Sequence, residues 1–273
     1  MSLATATRSE TTKQFGTAMW WVLIVVFVAY VAFTAGILGA VFAASATGNL
    51  PGGTTGAEIP AEALPPVLYS AGMSIGYVFP LLIGTLMVTG EFRHKTLTAT
   101  FLATPRRGLV MLAKVVVGVG MGVVYGIAGI VASVGPGAAF LAAFGLDTEL
   151  GSSDTWALLG RMMLASVLWV LVGVGVGALV RNQVGAIVIV LVFTQFLEPV
   201  GRAAGAFVEG LNTVTQYLPG AASDALVGAS VFTSMPGTTG SSLEWWIGGL
   251  VLLGYAVVLL VLGYLVSWRR DVS

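Results

Sequence analysis

The sequence predicts an all-α polytopic membrane protein with six transmembrane helices. Both termini are expected in the cytoplasm, and a re-entrant or interfacial helical hairpin is expected on the outer face before the last span. Three observations predict this. Apolar residues fill 57% of the 273 positions and charged residues 9%, against roughly 25% charged in an ordinary soluble domain. Six segments, near 19–44, 67–89, 109–134, 157–180, 184–200 and 245–268, are apolar enough to cross a bilayer at about 20 residues per span. The basic residues are also unevenly distributed among the connections. The length suits one membrane domain, 1–273, in the plasma (inner) membrane.

Orientation follows from the basic residues. With the N-terminus inside, Arg8, Lys13, Arg93, Lys95, Arg106, Arg107, Lys114, Arg181, Arg269 and Arg270 are cytoplasmic, and of the 12 Lys and Arg only Arg161 and Arg202 lie outside. Nine acids (Glu58, Glu62, Asp147, Glu149, Asp154, Glu198, Glu209, Asp224 and Glu244) then lie outside. The fifth run, Val184 to Leu197, is short. Leaving it non-crossing would put Arg269 and Arg270 outside, so six crossings are preferred.

Taken in order, residues 7–17 read as an amphipathic helix on the inner surface, with Glu10 and Lys13 paired at i,i+3. The first span opens on Trp20-Trp21, an interfacial anchor. Ala44-Ser45-Ala46 looks like a signal-peptidase site, but the apolar run Met19–Ala44 exceeds the 7–15 residues of a cleavable signal. Pro80 is expected to kink the second span. The third span should stop at Gly135-Pro136-Gly137. Arg181-Asn182-Gln183 makes a tight inner turn. The outer segment 199–244 holds two moderately apolar pieces, 203–211 and 221–232, around Tyr217-Leu218-Pro219-Gly220.

Thirty-seven glycines suit close helix packing in lipid. Gly118, Gly122 and Gly126, Gly72 and Gly76, and Gly173 and Gly177 each form small-residue faces. Packing within the bundle and a subunit interface are both open readings of them.

No catalytic set is legible, so the chain is not expected to be an enzyme. Gly72-Met73-Ser74-Ile75-Gly76 matches the nucleophile pattern G-x-S-x-G, but the single histidine, His94, lies twenty residues on, about 30 Å along a helix. Gly90 followed by Lys95-Thr96 lacks the second glycine of a P-loop. Without cysteine, thiol chemistry and Cys-based metal sites are excluded, and no metal or other cofactor is expected on this chain. Net charge is zero, which gives no case for nucleic acid as a partner. Lys114 and Arg161 lie near helix ends, where they can snorkel, and Glu198 closes the fifth span. Mid-depth polarity is then limited to uncharged groups such as Thr34, Ser133, Ser166, Thr194 and Gln195, which argues against an ion-driven carrier.

The basic, polar stretch Gly90–Gly108, GEFRHKTLTATFLATPRRG, lies between two spans. It resembles the loop between the second and third spans of ABC-2 type ABC transporter permeases, with their G-E-[FY]-R-x-x-T-[IL] start and T-P-x-R end. R-S-E-x-T-K (Arg8–Lys13), G-V-G-V-G-A-L-V-R-N-Q (Gly173–Gln183) and Leu218-Pro219-Gly220 look similar too, so the resemblance runs along nearly the whole chain. It implies a short coupling helix that fits a cleft on a separate nucleotide-binding ATPase subunit, which would hold ATP and Mg. Glu91 and Arg93 would cap and orient that helix. His94, Lys95, Thr96, Thr98 and Thr100 would lie along its docking surface, and Pro105, Arg106 and Arg107 would end it. Many members have glycine where this chain has Lys95. Arg8, Glu10 and Lys13 would belong to the connecting helix. The resemblance further implies a second permease subunit, identical or a sister chain, and export of a substrate that in the family ranges from lipids, drugs and peptides to polysaccharides; the largely apolar spans favour an amphiphilic or hydrophobic one. The alternatives are an ion-driven secondary transporter and a non-transporting immunity or sensor subunit.

Overall fold

The computed structural model describes residues 2–48, 60–208, 210–233 and 243–268, and every regular element among them is helical. Six helical stretches are long and apolar enough to cross a membrane: Met19–Ala46, Ala61–Arg93, Arg107–Ala143, Ser153–Leu179, Gln183–Gly205 and Trp245–Val266. The chain is a multi-pass membrane protein.

Helix α1 (Leu3–Phe15) precedes α2 (Met19–Ala46), the first span. The second span is broken into α3 (Leu64–Ser74) and α4 (Val78–Arg93). Pro80 does more than kink it. Its missing N–H leaves the Gly76 carbonyl without its i+4 donor, Phe79 N–H bonds that carbonyl instead at 3.1 Å, and the helix restarts. A short helix α5 (Leu97–Ala103) then leads to α6 (Arg107–Ala143), which runs straight through Gly135-Pro136-Gly137. The expected stop at Pro136 is overridden by packing. Leu141 is fully buried, Gly137 fits against Leu68 and Tyr69, and Phe140 covers Gly36 and Gly39 of α2. Proline inside a membrane helix is tolerated where neighbours enclose it.

Helix α7 (Ser153–Leu179) is the hub. It packs on α4, α6, on the last span and on the short helix α11 (Pro219–Val227). The fifth span is continuous but irregular: α8 (Gln183–Val192), a π turn at Phe193–Leu197, then α9 (Glu198–Phe207). The π turn lies just before Pro199, whose ring cannot fit a regular preceding turn. Glu198 therefore does not close the span, because the helix continues through it. A single turn, α10 (Asn212–Thr215), links it to α11, and α12 (Trp245–Gly263) is the last span. The expected pieces 203–211 and 221–232 thus resolve as the end of α9 and as α11. Helix α11 packs against α12, α7 and α3. Glu58, Glu209, Arg269 and Arg270 lie outside the described residues.

The glycine faces pack inside the chain. Gly84 and Gly173 bring α4 and α7 so close that a Cβ on either would strike the partner's backbone (the carbonyls of Val170 and Leu81), and Gly177 likewise meets Thr85. Gly122 and Gly126 seat α6 on Val167 and Met163 of α7, and Gly72 seats α3 on Gly129 of α6. Of the two readings of these faces, packing within the bundle is the one found. The most enclosed spans are α3–α4 and α7; α2, α8–α9 and α12 carry the most exposed apolar surface.

Candidate functional site

The connection from α4 to α6 forms the candidate site at the end of the bundle that also carries α1. Helix α4 ends at His94 with two reverse bonds: Thr96 N–H to Glu91 O at 3.1 Å and Lys95 N–H to Phe92 O at 3.3 Å. This is a Schellman closure, and it puts Lys95 at φ 55°, in the left-handed region that favours glycine. A physical reason thus attaches to the glycine that the resemblance expects there.

Helix α5 is anchored on one side only. Leu97 is buried, Phe101 stacks edge-on to Trp268 at 5.5 Å, and Arg107 lies over Phe101 at 5.1 Å. Arg107 also donates to Trp268 O at 2.8 Å, which ties the start of α6 to the end of the last span. Among the described residues the opposite side of α5 is exposed. Thr98, Ala99 and Ala103 are exposed, and Leu102 is 79% exposed. Arg93, His94, Lys95 and Thr96 flank this face on one side, and Pro105 and Arg106 on the other, all exposed.

Three expected surface residues turn inward. Arg107 turns onto Phe101 and Trp268. Glu91 is 7% exposed, and its side chain caps nothing on α5. It enters a closed ring of four charges instead. Lys13 donates to Glu10 Oε1 at 2.7 Å and to Glu91 Oε1 at 2.8 Å. Lys114 donates to Glu10 Oε2 at 2.5 Å, and its Nζ lies 3.0 Å from Glu91 Oε2, an ion pair rather than an aligned hydrogen bond. Each carboxylate bridges both ammoniums. The third inward residue is Thr100, whose hydroxyl accepts the third Lys13 proton at 2.9 Å and donates to Thr96 O at 3.1 Å. One interaction system therefore joins α1, α4, α5 and α6.

Lys114 is the correction of most consequence. It does not snorkel; at 1% exposure it is enclosed, because two carboxylates lie in the bundle and none lies outside within its reach among the described residues. Helix α1 is amphipathic in an inverted sense. Its buried face is Ala6, Glu10 and Gln14, held to α6 by charge. Burial alone would raise the Glu10 carboxyl, but Lys114 and Lys13 outweigh it and hold it below its ordinary value. Burial would lower Lys13, but Glu10 and Glu91 outweigh that and raise it.

A second charged cluster lies within the spans, beside the α3–α4 break and the π turn, where the sequence was expected to carry no ionisable group. Arg202 donates to Asp224 Oδ2 at 2.8 Å, and its Nε lies 3.6 Å from Glu198 Oε1. Glu198 accepts from Ala221 N–H at 3.1 Å, so it sits on the N-terminus of α11, where a carboxylate is stabilised by the helix dipole. Tyr77, at the α3–α4 break, donates to Glu198 Oε2 at 3.3 Å and to Thr194 O in the π turn at 3.2 Å. Its ring stacks on Trp169 at 4.5 Å. Arg161, also expected to snorkel, lies against Trp245 at 5.9 Å.

Sequence reasoning missed Leu102 and Ala99 on the α5 surface and Lys114 in the ring. Alternation of Leu97, Phe101 and Thr104 facing inward could have marked Leu102 as outward. Nothing local could have paired Lys114 with Glu10. Compared with protein-family models and with curated proteins, the chain gives no match.

Proposed function

We propose that this chain is the membrane-spanning permease subunit of an ATP-driven ABC transporter of the ABC-2 type, exporting an amphiphilic or hydrophobic substrate across the plasma (inner) membrane. The supporting observation is α5, a helix anchored on one side and bare on the other, flanked by exposed basic residues at the bundle end that carries α1. In this reading that end is cytoplasmic and a separate ABC-type ATPase subunit docks on Thr98, Ala99, Leu102 and Ala103. The partner binds ATP and Mg; this chain supplies the lever.

The lever follows from the contacts. Displacement of α5 pulls on Lys13 through Thr100, and on α1 and α6 through the charge ring. It pulls on the last span through Phe101, Arg107 and Trp268. A second permease subunit would pack on the exposed apolar faces of α2 and the fifth span, with the pathway between the halves.

One observation favours a second reading. Glu198 and Asp224 are buried acids in the far half of the bundle, and such groups mark ion pathways in carriers. An ion-driven carrier would work in liposomes without ATP or an ATPase.

Purification of the tagged protein in mild detergent separates the two. The permease reading expects an ABC-type ATPase with the wild type and its loss with Leu102→Asp, at unchanged yield. If no ATPase accompanies the wild type in several detergents, while liposomes show ion-driven transport, the carrier reading replaces it.

A further inference from the structure

We infer that the trough between α1 and α6 binds one phospholipid with an anionic headgroup. The trough is a shallow, open groove of about 580 Å³ lined by Leu3, Ala4, Thr7, Arg8, Thr11, Thr12 and Val116, the shape of a surface site for a lipid rather than of an enclosed pocket. It lies on a different face of α1 from the charge ring.

Charge selects the headgroup. Helix α1 carries three charged side chains, Arg8, Glu10 and Lys13. Glu10 and Lys13 are consumed in the ring, where two carboxylates and two ammoniums cancel. The Arg8 guanidinium is exposed and has no ion-pair or hydrogen-bond partner among the described residues. The hydroxyls of Thr11 and Thr12 donate to the carbonyls of Thr7 and Arg8, so they offer an anion no protons. No acid lines the trough. Its only formal charge is therefore positive, and an arginine fork suits a phosphate oxygen pair.

Depth and shape select a lipid over a free anion. Tyr125 of α6 donates to Trp20 O at 3.1 Å, and Trp20 and Trp21 open the first span, as aromatic residues do at the interface. Val116 lies nine residues nearer the α1 end, about 14 Å along the helix, on the headgroup side of those tryptophans. From it runs an exposed apolar stripe, Val116, Val119 and Val123, leading towards the Trp20 level and the hydrocarbon. A phosphate held at Arg8 thus has an acyl path on α6 directly above it. The site needs only a membrane around α6, whether or not an ATPase docks on α5.

The test is lipid retention by the purified full-length chain, read by native mass spectrometry during titration with phosphatidylglycerol or phosphatidylcholine. The wild type is expected to retain one phosphatidylglycerol in preference to phosphatidylcholine. Arg8→Gln should weaken that retention about fivefold, the factor equivalent to about 1 kcal/mol per basic residue at an anionic surface. Arg181→Gln, which removes an exposed cation in the turn before α8, should leave it unchanged, and Val116→Trp, which fills the trough, should abolish it. Equal retention of the two lipids by the wild type would overturn the inference, as would unchanged phosphatidylglycerol binding in Arg8→Gln. Competition by inorganic phosphate alone would assign the site to a free anion and overturn the lipid. Loss of a dimer in Val116→Trp without any lipid preference would assign the trough to a second copy.

Discussion

The two charged clusters differ in how their charges are compensated. At the α1 end, two carboxylates and two ammoniums close a ring in which every charge has two opposite neighbours. In the cluster beside α11, one arginine serves two carboxylates, and further hydrogen bonds come from the N-terminus of α11 and from Tyr77. The ring joins three helices, and a fourth through Thr100, by side chains alone. The far cluster instead depends on the position of a nine-residue helix, so its electrostatics change whenever α11 moves. A brace beside the proposed docking helix is what a lever-driven permease would need.

The contrast can be broken most directly at Lys114. Replacing it by Met leaves Glu10 and Glu91 enclosed with only Lys13 between them, and removing one partner of a buried pair costs about 3–5 kcal/mol. Equilibrium unfolding in detergent should show that loss, and α1 should become protease-sensitive. A change under about 1 kcal/mol, within the range of an exposed pair, would mean that the ring is solvated. Next in size is Asp224→Asn, which keeps the shape but weakens a charged hydrogen bond to Arg202, at about 1.5–3 kcal/mol. Crosslinking between α11 and α9 should fall in that variant while α1 stays protected. If both ends loosen together, the clusters are not independent.

Lys95→Gly should stabilise the protein by up to about 1 kcal/mol, since it removes the left-handed penalty of a side-chain-bearing residue. A loss of stability would mean that the Lys95 side chain makes contacts that outweigh the strain.

The smallest expected effect is that of moderate pH. The folded Glu10 carboxyl lies below its ordinary 4.5, so its contribution is complete above that value and is lost as pH falls through the lowered one. The Lys13 ammonium lies above its ordinary 10.5, so its contribution is complete below that value and is lost as pH rises further. Hydrogen exchange of α1, corrected for intrinsic rates, should therefore be flat between those limits. A transition near neutrality would show that another group controls the docking of α1.

Much of the fold was legible because length and hydropathy suffice for spans in a bilayer. The six segments and the 90–108 connection come from composition and one stretch of residues. The Glu10–Lys13 pair was legible because i,i+3 spacing is local. Pro136 misled because a local breaker was outweighed by Phe140 and Leu141, whose partners are distant in sequence. Pro80 was read correctly as a disturbance and underestimated, since the bond it removes at Gly76 falls where Phe27 and Val31 already crowd the backbone. Lys114 could not be read at all. Its partners lie on α1 and α4, one of them 104 residues away, and no pattern in a single sequence specifies that pairing.

Docking of an ATPase on the bare face of α5 can be tested with a single introduced cysteine, since the chain has none. Leu102→Cys, labelled with a short photo-crosslinker in native membranes, should capture an ABC-type ATPase subunit in good yield. The same label at Ile37, on the exposed membrane face of α2, should not. Capture of no ATPase at Leu102, or equal capture at both positions, would contradict the account.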